Sequence, residues 1–172
     1  GIKGVGDLFG KAIRGKATGE SAIKPEYTGN GTLVLEPTYK YILLEDVADW
    51  NGSLILEDGL FLACDSNLTH KAVMRSNLSS AVAGGEGLFN LGLSGSGVVA
   101  LECPCPREEL IEINLQDDVL KIDGNTAIAW SGSLDFTVER SGKTLIGSAA
   151  SGEGLVNVFR GTGRVLMAPV LD

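Results

Sequence analysis

The chain has 172 residues, of which 44% are hydrophobic and 21% charged, enough for one good-sized core and unlike either a disordered polymer or a disulfide-dense miniature. With 14 Lys and Arg against 22 Asp and Glu the formal net charge is −8, and a surface of that sign repels phosphate, which argues against nucleic acid as a partner of the body of the protein. The 24 glycines follow no collagen-like period and cluster between apolar runs, where tight turns need a residue tolerant of φ > 0.

In chain order, residues 1–16 carry Lys3, Lys11, Arg14 and Lys16 against Asp7, with Leu8, Phe9 and Ile13 interleaved. Leu8, Phe9, Ala12 and Ile13 fall on one side of a helix, but Gly6, Gly10 and Gly15 each weaken it by about 1 kcal/mol. The segment reads as a glycine-rich connector, with a weak membrane-surface contact as the alternative. Next come Gly19-Glu20-Ser21, a Gly29-Asn30-Gly31 turn and the apolar run Thr32-Leu33-Val34-Leu35-Glu36. Residues 54–56 and 60–63 flank Glu57-Asp58-Gly59, the pattern of a hairpin with an Asp-Gly turn.

The series then starts again. Gly85-Glu86-Gly87 precedes Gly95-Ser96-Gly97 and the run Val98-Val99-Ala100-Leu101-Glu102; residues 119–122 and 126–130 flank Asp123-Gly124-Asn125 as a second hairpin pattern. Leu134, Phe136 and Val138 alternate with Asp135, Thr137 and Glu139, a strand with one wet face. Gly152-Glu153-Gly154, Gly161-Thr162-Gly163 and residues 164–168 open the series a third time.

The period is about 66 residues. It divides the chain into a segment 1–18 that ends a preceding unit, unit one at 19–84, unit two at 85–151, and the start of a third unit at 152–172, all expected to pack as one compact body. The third copy is then split between the chain ends, and residues upstream of Gly1 are expected to supply its middle. Many short strands with frequent glycine turns predict an all-β protein of repeated short β-sandwich or double-stranded β-helix-like units, pseudo-threefold within the chain.

These residues, seen best in Gly85-Glu86-Gly87-Leu88-Phe89-Asn90 and Gly152-Glu153-Gly154-Leu155-Val156-Asn157, resemble the mitochondrial biogenesis family typified by altered inheritance of mitochondria protein 24. The resemblance runs from Gly15 to Pro169. It implies a fold like that of the tryptophan RNA-binding attenuation protein, three β units per chain, and a homotrimer whose nine units form a ring. It implies no activity: eukaryotic members are linked to mitochondrial inner-membrane organisation, and most prokaryotic members have no established one.

The residues themselves offer little chemistry. His70 is the single histidine, too few for a cupin-type metal centre, and reads as a surface or packing residue. Gly92-Leu93-Ser94-Gly95-Ser96 fails the nucleophile-elbow pattern at its last position. Cys103-Pro104-Cys105-Pro106 lacks metal-motif spacing and, with Cys64, reads as reduced, buried or half-buried thiols in a cytoplasm-like compartment, mitochondrial if the source is eukaryotic. Glu45, Asp46, Asp49, Asp117 and Asp118 match no calcium loop and read as solvated acids. Glu20, Glu86 and Glu153 recur at equivalent places, either accepting backbone N–H bonds across their turns or pairing with a basic group of the next unit, or else forming a cation-binding carboxylate ring about an oligomer axis.

The expectation is therefore a protein without catalytic, cofactor or metal residues, with binding residues unassigned: a ring-forming oligomeric scaffold, or alternatively a small-molecule-binding module with ligand sites between β units.

Overall fold

The runs of β-branched and large apolar residues form ten strands in the computed structural model, which describes residues 25–36, 38–74, 89–140 and 155–169. In order they are β1 (Tyr41–Asp46), β2 (Ser53–Leu56), β3 (Phe61–Cys64), β4 (Thr69–Met74), β5 (Phe89–Ser94), β6 (Val98–Cys103), β7 (Ile111–Asp123), β8 (Ala127–Ser131), β9 (Asp135–Arg140) and β10 (Leu155–Met167). Two short 3₁₀ turns, Val47–Trp50 and Arg107–Glu109, join them. The protein is all-β with antiparallel sheets. The glycine-glutamate motifs at 19–21, 85–87 and 152–154 and the basic segment 1–16 lie outside the described residues.

Three strands form one sheet in the order β1-β6-β3, and seven form the other in the order β4-β5-β2-β8-β10-β7, with β9 also on β10. Strand period assigns each side chain to a face. Leu54 and Leu56 pair with Leu93, Leu91, Ser131 and Ala129, whereas Ile55 pairs with Gly92 and Trp130. The first set faces the three-stranded sheet and forms a core with Leu43, Val99, Leu101 and Cys103. The second forms another core, where Ile55 and Trp130 join Leu115, Ile122, Phe159 and Val165. There Trp130, Phe136 and Phe159 pack as an aromatic trio with centroids 4.9–5.3 Å apart, in tilted and edge-on arrangements that favour the ring quadrupoles.

Both predicted hairpins are corrected by this topology. β2 pairs with β5 and β8, and β3 pairs with β6, so Asp58-Gly59 turns a corner between sheets. Glu57 N donates to Ile128 O on one side (2.9 Å) and Glu102 N to Leu60 O on the other (2.8 Å), and Gly59 at φ +77° makes the bend. Likewise β7 and β8 both pair with β10, not with each other. Asn157 Nδ2 donates to Gly124 O (2.8 Å) and fastens that turn to β10. An apolar run buried on both faces gives neighbours on either side equal claim to its edges, and turn chemistry alone does not choose between them.

The Gly-x-Gly segments are not uniform hairpin turns either. Gly95–Gly97 carries the chain from β5 in one sheet to β6 in the other. Gly161–Gly163 interrupts nothing: β10 runs through it as one 13-residue strand with a register shift against β7, a β-bulge. The extra residue lies on β7, where Gln116 and Asp117 stand opposite Thr162 alone; Asp117 N donates to Thr162 Oγ1 (3.0 Å) and Ser133 Oγ to Thr162 O (2.8 Å).

Leu54 is fully buried between the sheets. Leu54→Ala is expected to lower unfolding free energy by about 2–5 kcal/mol in urea titrations, whereas Val119→Ala, half-exposed on β7, shifts it by about 0.5 kcal/mol or less.

Candidate functional site

Two surface features follow from the sheet geometry. The first is the outer side of the three-stranded sheet. Along β1 the alternation buries Leu43 and Glu45 and leaves Ile42 and Leu44 outside, 50% and 66% exposed. Val98, on the same outer side through its pairing with Asp46, adds further exposed apolar surface. β1 is also an edge strand among the described residues, with its ladder to β6 on one side alone. Upstream, Leu33, Val34 and Leu35 are exposed, Val34 at 86%, and residues 32–36 enter no described strand. Their counterparts by sequence pattern differ: 98–102 lies in β6 between β1 and β3, and 164–167 lies in β10 between β7 and β8.

The second feature is a crevice of about 240 Å³ on the other face of the large sheet, where Lys71, Val73 and Ile55 meet Asn90, Trp130, Asp135 and Phe136. A Cβ on Gly92 would lie 2.8 Å from Val73 Cγ2 and 3.1 Å from Lys71 Cγ, so glycine there lets the Lys71 stem lie across the strand. Asn90 is 2% exposed, and its Oδ1 accepts no hydrogen bond from a described residue, an arrangement that costs about 1–3 kcal/mol unless a partner enters. None of the crevice residues stands in a sequence pattern that points to ligand binding. Asn90 within an apolar strand was the available signal, since buried amides require partners.

The acids singled out in the sequence are dispersed into structural roles. Glu45 is buried and accepts from Trp50 Nε1 (3.0 Å), and Asp46 caps the first 3₁₀ turn by accepting from Ala48 N (2.9 Å). Asp49 accepts from Arg164 Nη2 through its carbonyl oxygen (2.8 Å). Asp117 takes the left-handed conformation, φ 52°, within the β7 bulge opposite Thr162, and Asp118 Oδ1 accepts from Val119 N (2.7 Å). Among the described residues no three His, Cys, Asp or Glu side chains gather as a metal site. Cys103 and Cys105 are buried free thiols, and Cys64 is half-buried. Cys64 and His70 share no sequence motif, yet the fold brings Cys64 Sγ within 3.2 Å of His70 Nε2.

A charged network ties the two sheets together. The Arg164 guanidinium lies 4.3 Å over the Trp50 ring, a cation–π contact, and reaches Glu112 (3.4 Å), which also accepts from Arg107 Nη2 (2.9 Å). Arg107 Nε is 3.9 Å from Glu45. The Arg107 hydrogen bond, helped by the charge of Arg164, holds the Glu112 carboxyl below its ordinary range. Among the described residues no helix is long and apolar enough to cross a membrane.

Comparison with known proteins gives consistent findings. The family profile described as Mitochondrial biogenesis AIM24 matches residues 2–170. An uncharacterized protein of Streptococcus pyogenes serotype M6 is 31% identical over 166 residues, 94% of this chain and 64% of that protein. A crystal structure of a protein from Streptococcus pyogenes matches with a TM-score of 0.58 at 27% identity, covering 76% of this chain and 54% of that one. The chain thus spans less than two thirds of the length of either relative.

A carboxyl held low in the folded state stabilises the fold above the unfolded carboxylate range and loses that contribution as pH falls through its folded value. Glu112→Gln is therefore expected to cost about 1 kcal/mol or less at pH 7, given the partial exposure of the pair. In urea titrations repeated toward acid pH, the difference between wild type and variant should shrink to nothing.

Proposed function

The chain belongs to the mitochondrial biogenesis AIM24 family, and from that premise we propose that it is a non-catalytic scaffold or assembly protein whose copies join into a ring, a trimer of chains each built from three related β units. The observation that carries this reading is the setting of residues 32–36. Their sequence counterparts are inner strands, while Leu33, Val34 and Leu35 stand exposed, as do Ile42 and Leu44 on β1, an edge strand among the described residues. A strand edge and an apolar strip left open together favour pairing with another chain. A second copy of this chain supplies complementary β structure without any new surface. The odd set of three cysteines supports a reducing, cytoplasm-like compartment.

The expected solution mass by light scattering is that of three chains. Leu44→Lys combined with Ile42→Lys should reduce it to one chain while the β circular-dichroism signal persists; a wild-type monomer at micromolar concentration would rule out the ring.

A second reading is favoured by the crevice. It lies between residues of the first and second sequence units, and Asn90 Oδ1, Lys71 and Asp135 offer an acceptor, a cation and a carboxylate beside an aromatic wall. This set suits a small molecule that brings a hydrogen-bond donor to Asn90 and an acid group to Lys71. In a thermal-shift panel of small carboxylates bearing an amine or hydroxyl, a ligand at 100 times its Kd would add about 2.7 kcal/mol of stability. The expected hit raises Tm for wild type and fails to do so for Lys71→Met; a panel without hits removes this reading.

A further inference from the structure

We infer that Cys64 and His70 form a reactive thiol–imidazole pair, a site at which small hydroperoxides oxidise this protein. The two residues come from different sheets. Cys64 ends β3, which pairs with β6, and His70 is the second residue of β4, which pairs with β5. Only the turn at residues 65–68 brings them together, and that turn is firmly held. Asp65 N donates to Val98 O (3.0 Å), Asp65 Oδ2 accepts from Val98 N (2.8 Å), Leu68 N donates to Asp65 O (3.2 Å), and Asn67 Nδ2 donates to Ser96 O (2.6 Å). Leu68 is buried beneath it. The His70 ring meets Phe61 edge-on, with centroids 6.0 Å apart, which restrains its rotation.

A sulfur 3.2 Å from an imidazole nitrogen is the arrangement in which a base activates a thiol. His70 is exposed and Cys64 half-buried, so small solutes reach the pair. Cys103 and Cys105 are buried, and burial pushes the Cys105 thiol up, which leaves Cys64 as the accessible thiol of the three. Of the neighbouring charges, Asp65 is engaged with Val98, and the Lys71 stem lies across Gly92 on the opposite face of the sheet.

The chemistry balances with a hydroperoxide as the oxidant. The Sγ proton passes to His70 Nε2, leaving a thiolate beside an imidazolium. The sulfur attacks the distal peroxide oxygen; the S–O bond forms as the O–O bond breaks, and sulfur gives up two electrons. The imidazolium proton leaves with the departing alkoxide as an alcohol, or as water when the oxidant is hydrogen peroxide. Cys64 ends as a sulfenic acid, which a second thiol can reduce.

The test is alkylation of the full chain by iodoacetamide across pH 5.5–9.5, with each cysteine followed by peptide mass spectrometry, and trapping by dimedone after limiting hydrogen peroxide. Cys64 should react first, with an inflection well below the ordinary thiol value of about 8.5. At pH 6.5 its rate should exceed that of the same cysteine in His70→Gln by roughly tenfold or more. The dimedone adduct should map to Cys64 and vanish in Cys64→Ser. An inflection at the ordinary thiol value, equal rates with and without His70, or earlier reaction of Cys103 or Cys105 would overturn the inference. The wild-type pH profile decides it even if the His70 variant folds poorly.

Discussion

Two short strands without a wet face hold the structure together. β2 and β8 lie side by side in the middle of the large sheet, with Leu54, Leu56 and Ala129 turned to one core and Ile55 and Trp130 to the other. Each fully buried large side chain contributes about 1.5–3 kcal/mol, and the alternation divides those contributions between two cores that share one backbone layer. A one-residue slip of β2 would exchange the two sets and place Ile55 among the leucines of the first core. The register of the sheet, and everything placed on its faces, therefore rests on this pair.

The polar contacts act around that frame. Arg164 leaves β10 and reaches across to Trp50 and Asp49, while Glu112 and Arg107 extend the link toward Glu45. Partly exposed ion pairs contribute little individually. Their value here is geometric, because they fix the 3₁₀ turn after β1 against the long strands and thus set where the outer face of the small sheet points. Ile42, Leu44 and Val98 are displayed on that face because the inner alternation has already consumed Leu43, Val99 and Leu101. The apolar strip is thus a consequence of strand period on a sheet covered on one side.

Much of the fold was legible in the residues. The all-β class followed from apolar runs of four to seven residues closed by glycine, and Phe136 and Val138 of the alternating segment lie in β9, with Leu134 buried just before it. Cys103 and Cys105 are buried, as the sequence leads one to expect. Pairing partners were not legible. Asp58-Gly59 and Asp123-Gly124 carry hairpin chemistry, yet the first passes between sheets and the second between two strands on either side of β10, because the flanking strands find their hydrogen-bond partners far along the chain. Gly161 and Gly163 look like a turn yet lie within β10, opposite the bulge where the partner strand β7 carries one extra residue.

The candidate sites divide in the same way. The sequence by itself determined composition, the acidic surface, the strand-forming runs and their recurrence, because these depend on local preference and period. Only the tertiary structure decided that Asn90 is buried with an acceptor unpartnered among the described residues, that Lys71 and Asp135 border one crevice, and that Cys64 meets His70. Each of these depends on which strands become neighbours. That choice is made by burial shared between residues far apart in the chain, which no local pattern encodes.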